Sequence, residues 1–334
     1  MTSQFHSGDT SHGGITPPVS VILTAKNEES HLRSSVSAVL ASDYQGEVEI
    51  VIAVGPSQDR TREIADELAR SDHRILVVEN PTGNTPHGLN VALQKSRHDI
   101  VVRIDGHSEI QSDYISKAVK TLEATGAVNV GGLMAAEGVT SFQSAVACAM
   151  SSPIGVGAAR FHIGGSAGPT DTVYLGVFRR HALEEIGGYD ENFIRAQDWE
   201  MNHRLRMNGG VIWFNPDLKV IYRPRTTIRS LARQYLEYGR WRRAVSRHHK
   251  GTINFRYLAP PINLLLNLTS IILGTLVHPL FLIPIASYLL VITLSSIWMG
   301  KNLNEKAWLP IVLIVMHFSW GFGFISSPKS LLHR

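Results

Sequence analysis

Apolar runs of five to seven residues recur through the first third of the chain, each closed by polar or turn-forming residues. They are Val19–Ala25, Glu49–Val54, Arg74–Glu79 and residues 100–104, and each reads as a buried strand. Helical spacing separates them: Leu32, Val36, Val39 and Leu40; a stretch ending near Arg70; then Leu89, Ala92 and Leu93. Strands alternating with helices in this way predict an open, largely parallel α/β sheet with right-handed crossovers. A further helix is expected through Ile115, Ala118, Val119 and Leu122, then a strand over Val128–Met134. Residues 140–170 are small and rich in Gly and Ser, which suits either a segment that moves near a substrate or a long irregular connection. Thr172–Phe178 reads as a strand and Arg180–Ile186 as a short helix ended by Gly187-Gly188. Two short strands are expected at Val211–Phe214 and Val220–Tyr222, after a helix that starts near Asp198.

The pattern changes after residue 226. Residues 227–250 are helical in period and basic, with Arg229, Arg233, Arg240, Arg242, Arg243 and Arg247 interleaved with Leu231, Tyr235, Leu236, Tyr238 and Trp241. Such a helix can lie at headgroup level, and its arginines can also hold a pyrophosphate. Ile262–Val277, Leu280–Trp298 and Ala307–Ile325 then read as three membrane spans, with a single bent or re-entrant pair as the alternative for the first two. The chain thus divides into a disordered tail (1–17), an α/β domain (18–226), a basic interface region (227–258) and a membrane domain (259–334). The short positive loop Lys301–Lys306 places itself, and with it the α/β domain, on the cytoplasmic side of a multi-pass cell-membrane protein.

Net charge is +4 over 334 residues, and the basic excess beside apolar spans points to membrane lipids as partners, with no nucleic acid expected. The one cysteine, Cys148, cannot form an intrachain disulfide, which suits a cytosolic catalytic domain. Met1–Pro18 lacks the apolar core of a signal peptide. The pattern fixes no oligomeric state.

Candidate chemistry centres on Val101-Val102-Arg103-Ile104-Asp105-Gly106-His107. A buried strand ends in a carboxylate and an imidazole two residues apart, at the edge where α/β sheets bind ligands. Asp105 and His107 are spaced to share a divalent cation, and oxygen plus imidazole suits Mn²⁺ better than Mg²⁺. The alternative is an ordinary strand-to-turn junction, for which Asp-Gly is common. Asp198 and Glu200 have two readings as well: a first-turn pair that favours the helix dipole, or a general base aimed at the cleft.

Taken in order, these motifs resemble those of the inverting family-2 glycosyltransferases of GT-A fold. The membrane-attached subset that builds succinoglycan-type exopolysaccharides is the most similar. Val21–Glu29 matches the opening strand that closes over the nucleotide, carried here by Thr24, Ala25, Asn27 and Glu28. Gly55–Thr61 keeps Ser57, Asp59 and Thr61 of the next motif, while Val54 and Gly55 stand where the family has an acidic pair. Asn80, Gly83 and Asn90 match a spaced Asn, Gly and Asn set. Arg103 is counted with the substrate-binding residues, and Asp105-Gly106-His107 stands in for the Asp-x-Asp metal motif. Asp198 falls where the family places its base, with Gln197 replacing a Glu. Glu237–Trp241 echoes the Gln-x-x-Arg-Trp motif through Arg240 and Trp241, and its Glu favours single-sugar addition over processive synthesis.

The resemblance implies a metal-assisted transfer of one sugar from a nucleotide-sugar, UDP-linked, with inversion. A divalent cation (Mn²⁺ or Mg²⁺) at Asp105 and His107 would neutralise the leaving diphosphate. Asp198 would take the acceptor's proton. A neutral His107 is needed, so activity should fall below about pH 6.5. The spans imply a lipid-linked or glycan acceptor in cell-surface polysaccharide synthesis. Alternatives are a polyprenyl-phosphate sugar synthase, in which Asp198→Asn should be tolerated, and a non-catalytic scaffold that binds nucleotide-sugar.

Overall fold

The computed structural model describes residues 16–332. Most of the expected disordered tail, residues 1–15, lies outside them. The α/β part runs β1 (Val19–Ala25), α1 (Leu32–Leu40), β2 (Val48–Val54), α2 (Thr61–Ser71), β3 (Ile75–Glu79), α3 (Thr85–Lys95), β4 (Ile100–Arg103), β5 (Glu109–Ile110) and α4 (Tyr114–Thr125). It continues through β6 (Asn129–Ala136), α5 (Ser141–Met150), α6 (Pro153–Val156), α7 (Arg160–Ile163) and β7 (Gly168–Pro169). It ends with β8 (Tyr174–Arg179), α8 (Arg180–Glu185), α9 (Gln197–Met207), β9 (Ile212–Tyr222) and α10 (Ile228–His248).

The nine strands form one mixed sheet in the order β3-β2-β1-β4-β8-β6-β9-β5, with β7 on β9. The first four strands are parallel as the alternation of strand and helix requires. β8 then enters antiparallel between β4 and β6, and beyond it β6 and β9 pair parallel again while β5 and β7 pair antiparallel with β9, so the sheet is mixed. β1 and β2 are buried on both faces, which is why their sequences are near-continuous apolar runs. Val21, Leu23 and Ile50 pack with α1, α2 and α4 on one face. Ile22, Val51 and Ala53 pack with α3, α8 and α9 on the other. Ligand-binding loops are thereby gathered at the carboxyl edge of the parallel half.

Two stretches of the α/β part fold with more regular structure than their sequence suggests. The stretch 140–170 contains a ten-residue helix, α5, started by a capping box. Gln143 N–H donates to Thr140 Oγ1 at 3.2 Å, and Thr140 N–H donates to Gln143 Oε1 at 3.2 Å. The two short strands around residues 211–222 are one strand, β9. Asn215-Pro216-Asp217 reads as a turn, and locally it is one, because Asp217 N–H donates to Asn215 Oδ1 at 3.0 Å. The sheet absorbs it as an irregularity opposite Gly132, and pairing with β6 resumes beyond it.

Three helices follow that are long and apolar enough to cross a bilayer: α11 (Phe255–Leu276), a segment Pro279–Met299 whose regular part is α12 (Ile283–Met299), and α13 (Leu303–Ile325). Spans of 22, 21 and 23 residues meet the length that about 30 Å of hydrocarbon requires. α11 starts seven residues before the expected span, since Pro260 and Pro261 lie inside it. α13 packs on α10, α5 and α11, so the membrane helices are built against the α/β part.

Candidate active site

The end of β4 carries the organising side chain. Arg103 is 2 % exposed and reaches two carboxylates. Its Nη2 donates to Asp105 Oδ1 at 3.0 Å, and its Nη1 donates to Asp198 Oδ1. Asp105 follows β4, whereas Asp198 stands in the first turn of α9, so one guanidinium joins the two elements that bear the candidate chemistry. Burial works against its charge, but Asp105 and the surrounding groups outweigh that and hold the guanidinium protonated.

The acidic pair of α9 is divided by the fold. Asp198 keeps 27 % of its side chain exposed and lines a cavity. Its Oδ2 makes no hydrogen bond among the described residues. Glu200 is 1 % exposed and turned inward, where Arg204 Nε donates at 2.7 Å and His249 Nε2 lies 3.0 Å away. Glu200 therefore ties α9 to the end of α10, and Asp198 alone is free for chemistry.

His107 is held from one side. Its Nδ1 lies 2.9 Å from Glu28 Oε1, and this bond raises the imidazole above its ordinary value although burial opposes it. Glu28 thus fixes the ring and leaves Nε2 for another partner, the arrangement usual for metal-ligating histidines. Among the described residues no three His, Cys, Asp or Glu side chains already converge as cation ligands. The Asp105 carboxylate and His107 Nε2 nevertheless supply an oxygen-plus-imidazole donor set at the cavity wall, and this fits a cation of the Mn²⁺ type.

The cavity measures about 1020 Å³. Of the residues singled out from sequence, Thr24, Ala25, Glu28, Asn80, Gly83, Arg103, Asp105, His107, Asp198 and Trp241 line it. Asn27, Ser57, Asp59, Asn90 and Arg240 are not among its lining residues. Ser57 and Asp59 instead clamp the loop after β1: Asn27 N–H donates to Ser57 Oγ at 3.1 Å, and Glu29 N–H to Asp59 Oδ2 at 3.1 Å. The Thr61 hydroxyl and backbone amides bonded to Asp59 lower its carboxyl pKa. Asn27 takes a left-handed backbone (φ 55°) and accepts from Gln58 N–H at 2.8 Å. Asn90 exchanges hydrogen bonds with the Tyr189 backbone at 2.8 Å, which fixes the loop leading to α9. Arg240 pairs with Glu237 at 3.0 Å.

The sequence reading missed most of the far wall. Tyr174, Tyr222, Gln234, Tyr235 and Tyr238 come from β8, β9 and α10, while Asn263, Tyr288, His317 and Trp320 come from the three apolar helices. Polar residues inside apolar spans are the signal that could have found the second group, since such residues face protein or cavity. Tyr288 Oη lies 3.1 Å from His317 Nδ1, and His317 Nε2 lies 2.8 Å from the Ile154 carbonyl.

The mixed sheet, with Asp105 and His107 after its fourth strand and Asp198 on a facing helix, has the architecture of the GT-A class. The chain belongs to glycosyl transferase family 2, whose model matches residues 20–187. It is 30 % identical over 311 residues to the succinoglycan biosynthesis protein ExoA of Rhizobium meliloti, covering 91 % of this chain and 93 % of that one. A dolichyl N-acetyl-α-D-glucosaminyl phosphate 3-β-D-2,3-diacetamido-2,3-dideoxy-β-D-glucuronosyltransferase of Methanococcus voltae is 24 % identical, covering 92 % and 95 %. Among solved structures, the mannosyltransferase PcManGT of Pyrobaculum calidifontis, in complex with GDP-Man and Mn²⁺, superposes with a TM-score of 0.58 at 19 % identity, covering 90 % of this chain and 86 % of that one. TarS of S. aureus in complex with UDP-GlcNAc gives 0.51 at 15 % identity, covering 92 % and 91 %. The protein is a family-2 glycosyltransferase similar to those of exopolysaccharide and glycan biosynthesis, with three candidate membrane-spanning helices.

Proposed function

We propose that the enzyme transfers one sugar from a nucleotide-sugar, UDP-linked in the first instance, with inversion, onto a lipid-linked acceptor at the cytoplasmic face of the membrane. The observation that carries this reading is one continuous cavity lined by the loop after β1, by Asp105 and Asp198, and by residues of all three apolar helices. A wholly soluble acceptor would give no reason to build one wall of the reaction chamber from membrane spans.

In this reading the acceptor hydroxyl attacks the anomeric carbon as the bond to the diphosphate oxygen breaks, and its proton passes to Asp198 Oδ2. Arg103 fixes Asp198 through Oδ1 and so sets the direction of the base. Asp105 and His107 would hold a divalent cation, which when bound would neutralise the charge that develops on the departing diphosphate. Glu28 orients the imidazole for that role. Because Glu28 raises His107, loss of the neutral ligand on acidification begins above pH 6.5, higher than the sequence alone suggests.

Release of nucleoside diphosphate from a panel of UDP- and GDP-sugars by the membrane-embedded protein tests the reading. Turnover that requires Mn²⁺ or Mg²⁺, stops with EDTA and is lost in Asp105→Ala and Asp198→Asn supports it. Undiminished turnover in Asp198→Asn would point to a lipid phosphate as the acceptor, which needs no base. Binding without turnover on any donor would leave the scaffold reading.

A further inference from the structure

Arg242, on α10, is 7 % exposed, lines the cavity and forms no ion pair among the described residues. Its guanidinium carbon lies 3.8 Å from the ring centre of Trp199 and 3.9 Å from that of Tyr257, so it is held between two aromatic faces. Nη2 donates to the Thr252 carbonyl at 2.6 Å, whereas Nε and Nη1 are buried without a partner. A second guanidinium, Arg256, lies 5.2 Å from the same Tyr257 ring, lines the same cavity and also lacks an ion pair. Burial and the neighbouring Arg256 charge bring Arg242 down to about 10, still a cation at neutral pH. His162 faces the same cavity with Nδ1 unpartnered.

A buried cation with open donors and no counter-charge is costly unless something supplies the anion. Aromatic stacking offsets part of that cost but satisfies no N–H group. Two planar guanidiniums in one wall match the oxygens of a phosphoryl group, which can accept several charge-assisted bonds at once. Their position selects the source. Tyr257 is in the first turn of α11, where the chain enters its first apolar span, and Trp199 is the residue after the candidate base. The loops after β1 and β3 that form the nucleotide side carry neither arginine.

We propose that Arg242 and Arg256 form a subsite for the phosphoryl group of the lipid-borne acceptor, placed between Asp198 and the membrane. The inference rests on the acceptor reading above and adds the group by which the acceptor is held. Arg242 and Arg256 are binding residues here and take no part in proton transfer.

The test uses the full chain in phosphatidylcholine nanodiscs with EDTA present, and inorganic pyrophosphate and geranylgeranyl diphosphate as probes. Wild type should bind both. Arg242→Met should weaken binding at least tenfold, and Arg256→Gln, an exposed position that leaves the fold intact, at least threefold. Unchanged affinity in Arg256→Gln together with Arg242→Met overturns the proposal; if Arg242→Met fails to fold, unchanged affinity in Arg256→Gln alone does so. Saturating UDP or GDP with Mn²⁺ should leave pyrophosphate bound. Its displacement, with equal weakening of nucleotide binding in both variants, would assign the arginines to the donor's diphosphate and overturn the proposal. The two readings separate cleanly. Arginine-dependent probe binding without transfer to any lipid-linked acceptor sinks the acceptor reading alone. Transfer with acceptor KM unchanged in both variants sinks the subsite alone.

Discussion

Arg103 bears a heavier duty than a strand residue usually does. It is buried, while its two carboxylate partners keep 23 % and 27 % of their side chains exposed at the cavity wall, so its removal leaves both without their cation. Arg103→Met should cost about 1–3 kcal/mol of stability, because the carboxylates it leaves are partly solvated, and should abolish turnover. Asp198→Asn keeps a hydrogen-bond partner for the guanidinium, and should fold while losing roughly 10²–10⁴-fold in kcat. Thermal unfolding beside donor turnover distinguishes the two, and comparable instability in both variants would contradict it. A second buried carboxylate is structural. Glu49 on β2 accepts from Ser20 Oγ on β1 at 2.6 Å and from Arg97 Nε at 2.8 Å. Burial raises its pKa, yet Ser20 and the Arg97 amide and guanidinium together bring it below its ordinary 4.5. A depressed carboxyl stabilises the fold above the unfolded value and loses that effect as pH falls through the folded one. Glu49→Gln should therefore be less stable than wild type at pH 7, with the difference closing below about pH 4.5. A difference independent of pH would show that the charge contributes nothing. Of the candidate site, the residues at strand ends were the most legible, because Thr24, Asp105 and His107 sit where a parallel strand must open to solvent. Ser57, Asp59 and Asn90 were legible as a motif but not in their orientation, since a hydrogen-bonded clamp and a ligand contact use the same side chains.

At the scale of elements, strong apolar runs gave the first four strands within about a residue. The misses share a cause: local turn chemistry with more than one outcome. Thr140 and Gln143 are a capping box at the correct spacing, but the small residues behind them, Ala145, Ala147 and Ala149, mask a helical face that is apolar only by burial. Pro216 breaks the strand pattern in sequence, whereas β9 carries it in an irregular register. Tertiary approach is also invisible from one sequence. A Cβ on Gly239 of α10 would lie 2.1 Å from the Trp320 carbonyl oxygen, and one on Gly323 of α13 would lie 2.0 Å from that of Leu236. Each glycine admits the backbone of the other helix, the device common to close helix crossings in membranes. Gly323→Ala should cost about 1–3 kcal/mol by overpacking. It should shorten the half-life of the detergent-solubilised protein on heating, and an unchanged half-life would mean that the crossing yields easily.

The whole molecule joins a sheet that the sequence made plain to a chamber that it did not. Three spans were expected, and three helices of sufficient length are present. Their role as a wall of the cavity depends on packing across more than a hundred residues, as in the contact of His317 with Ile154. The proposed orientation is open to a direct check. With Cys148→Ser as background, Asn304→Cys lies at the exposed start of α13, and a membrane-impermeant maleimide should label it only after cells are opened. Labelling of intact cells would invert the topology. The crossing of α10 and α13 has one more consequence, for anyone who would recombine such enzymes. A chimera cut at residue 250 would keep the donor-side sheet and discard the helix into which Gly239 is fitted. The inheritable unit is not the sheet alone: a transplanted catalytic half must bring its own last span with it, and the two halves of the gene, though far apart, should tolerate exchange only together.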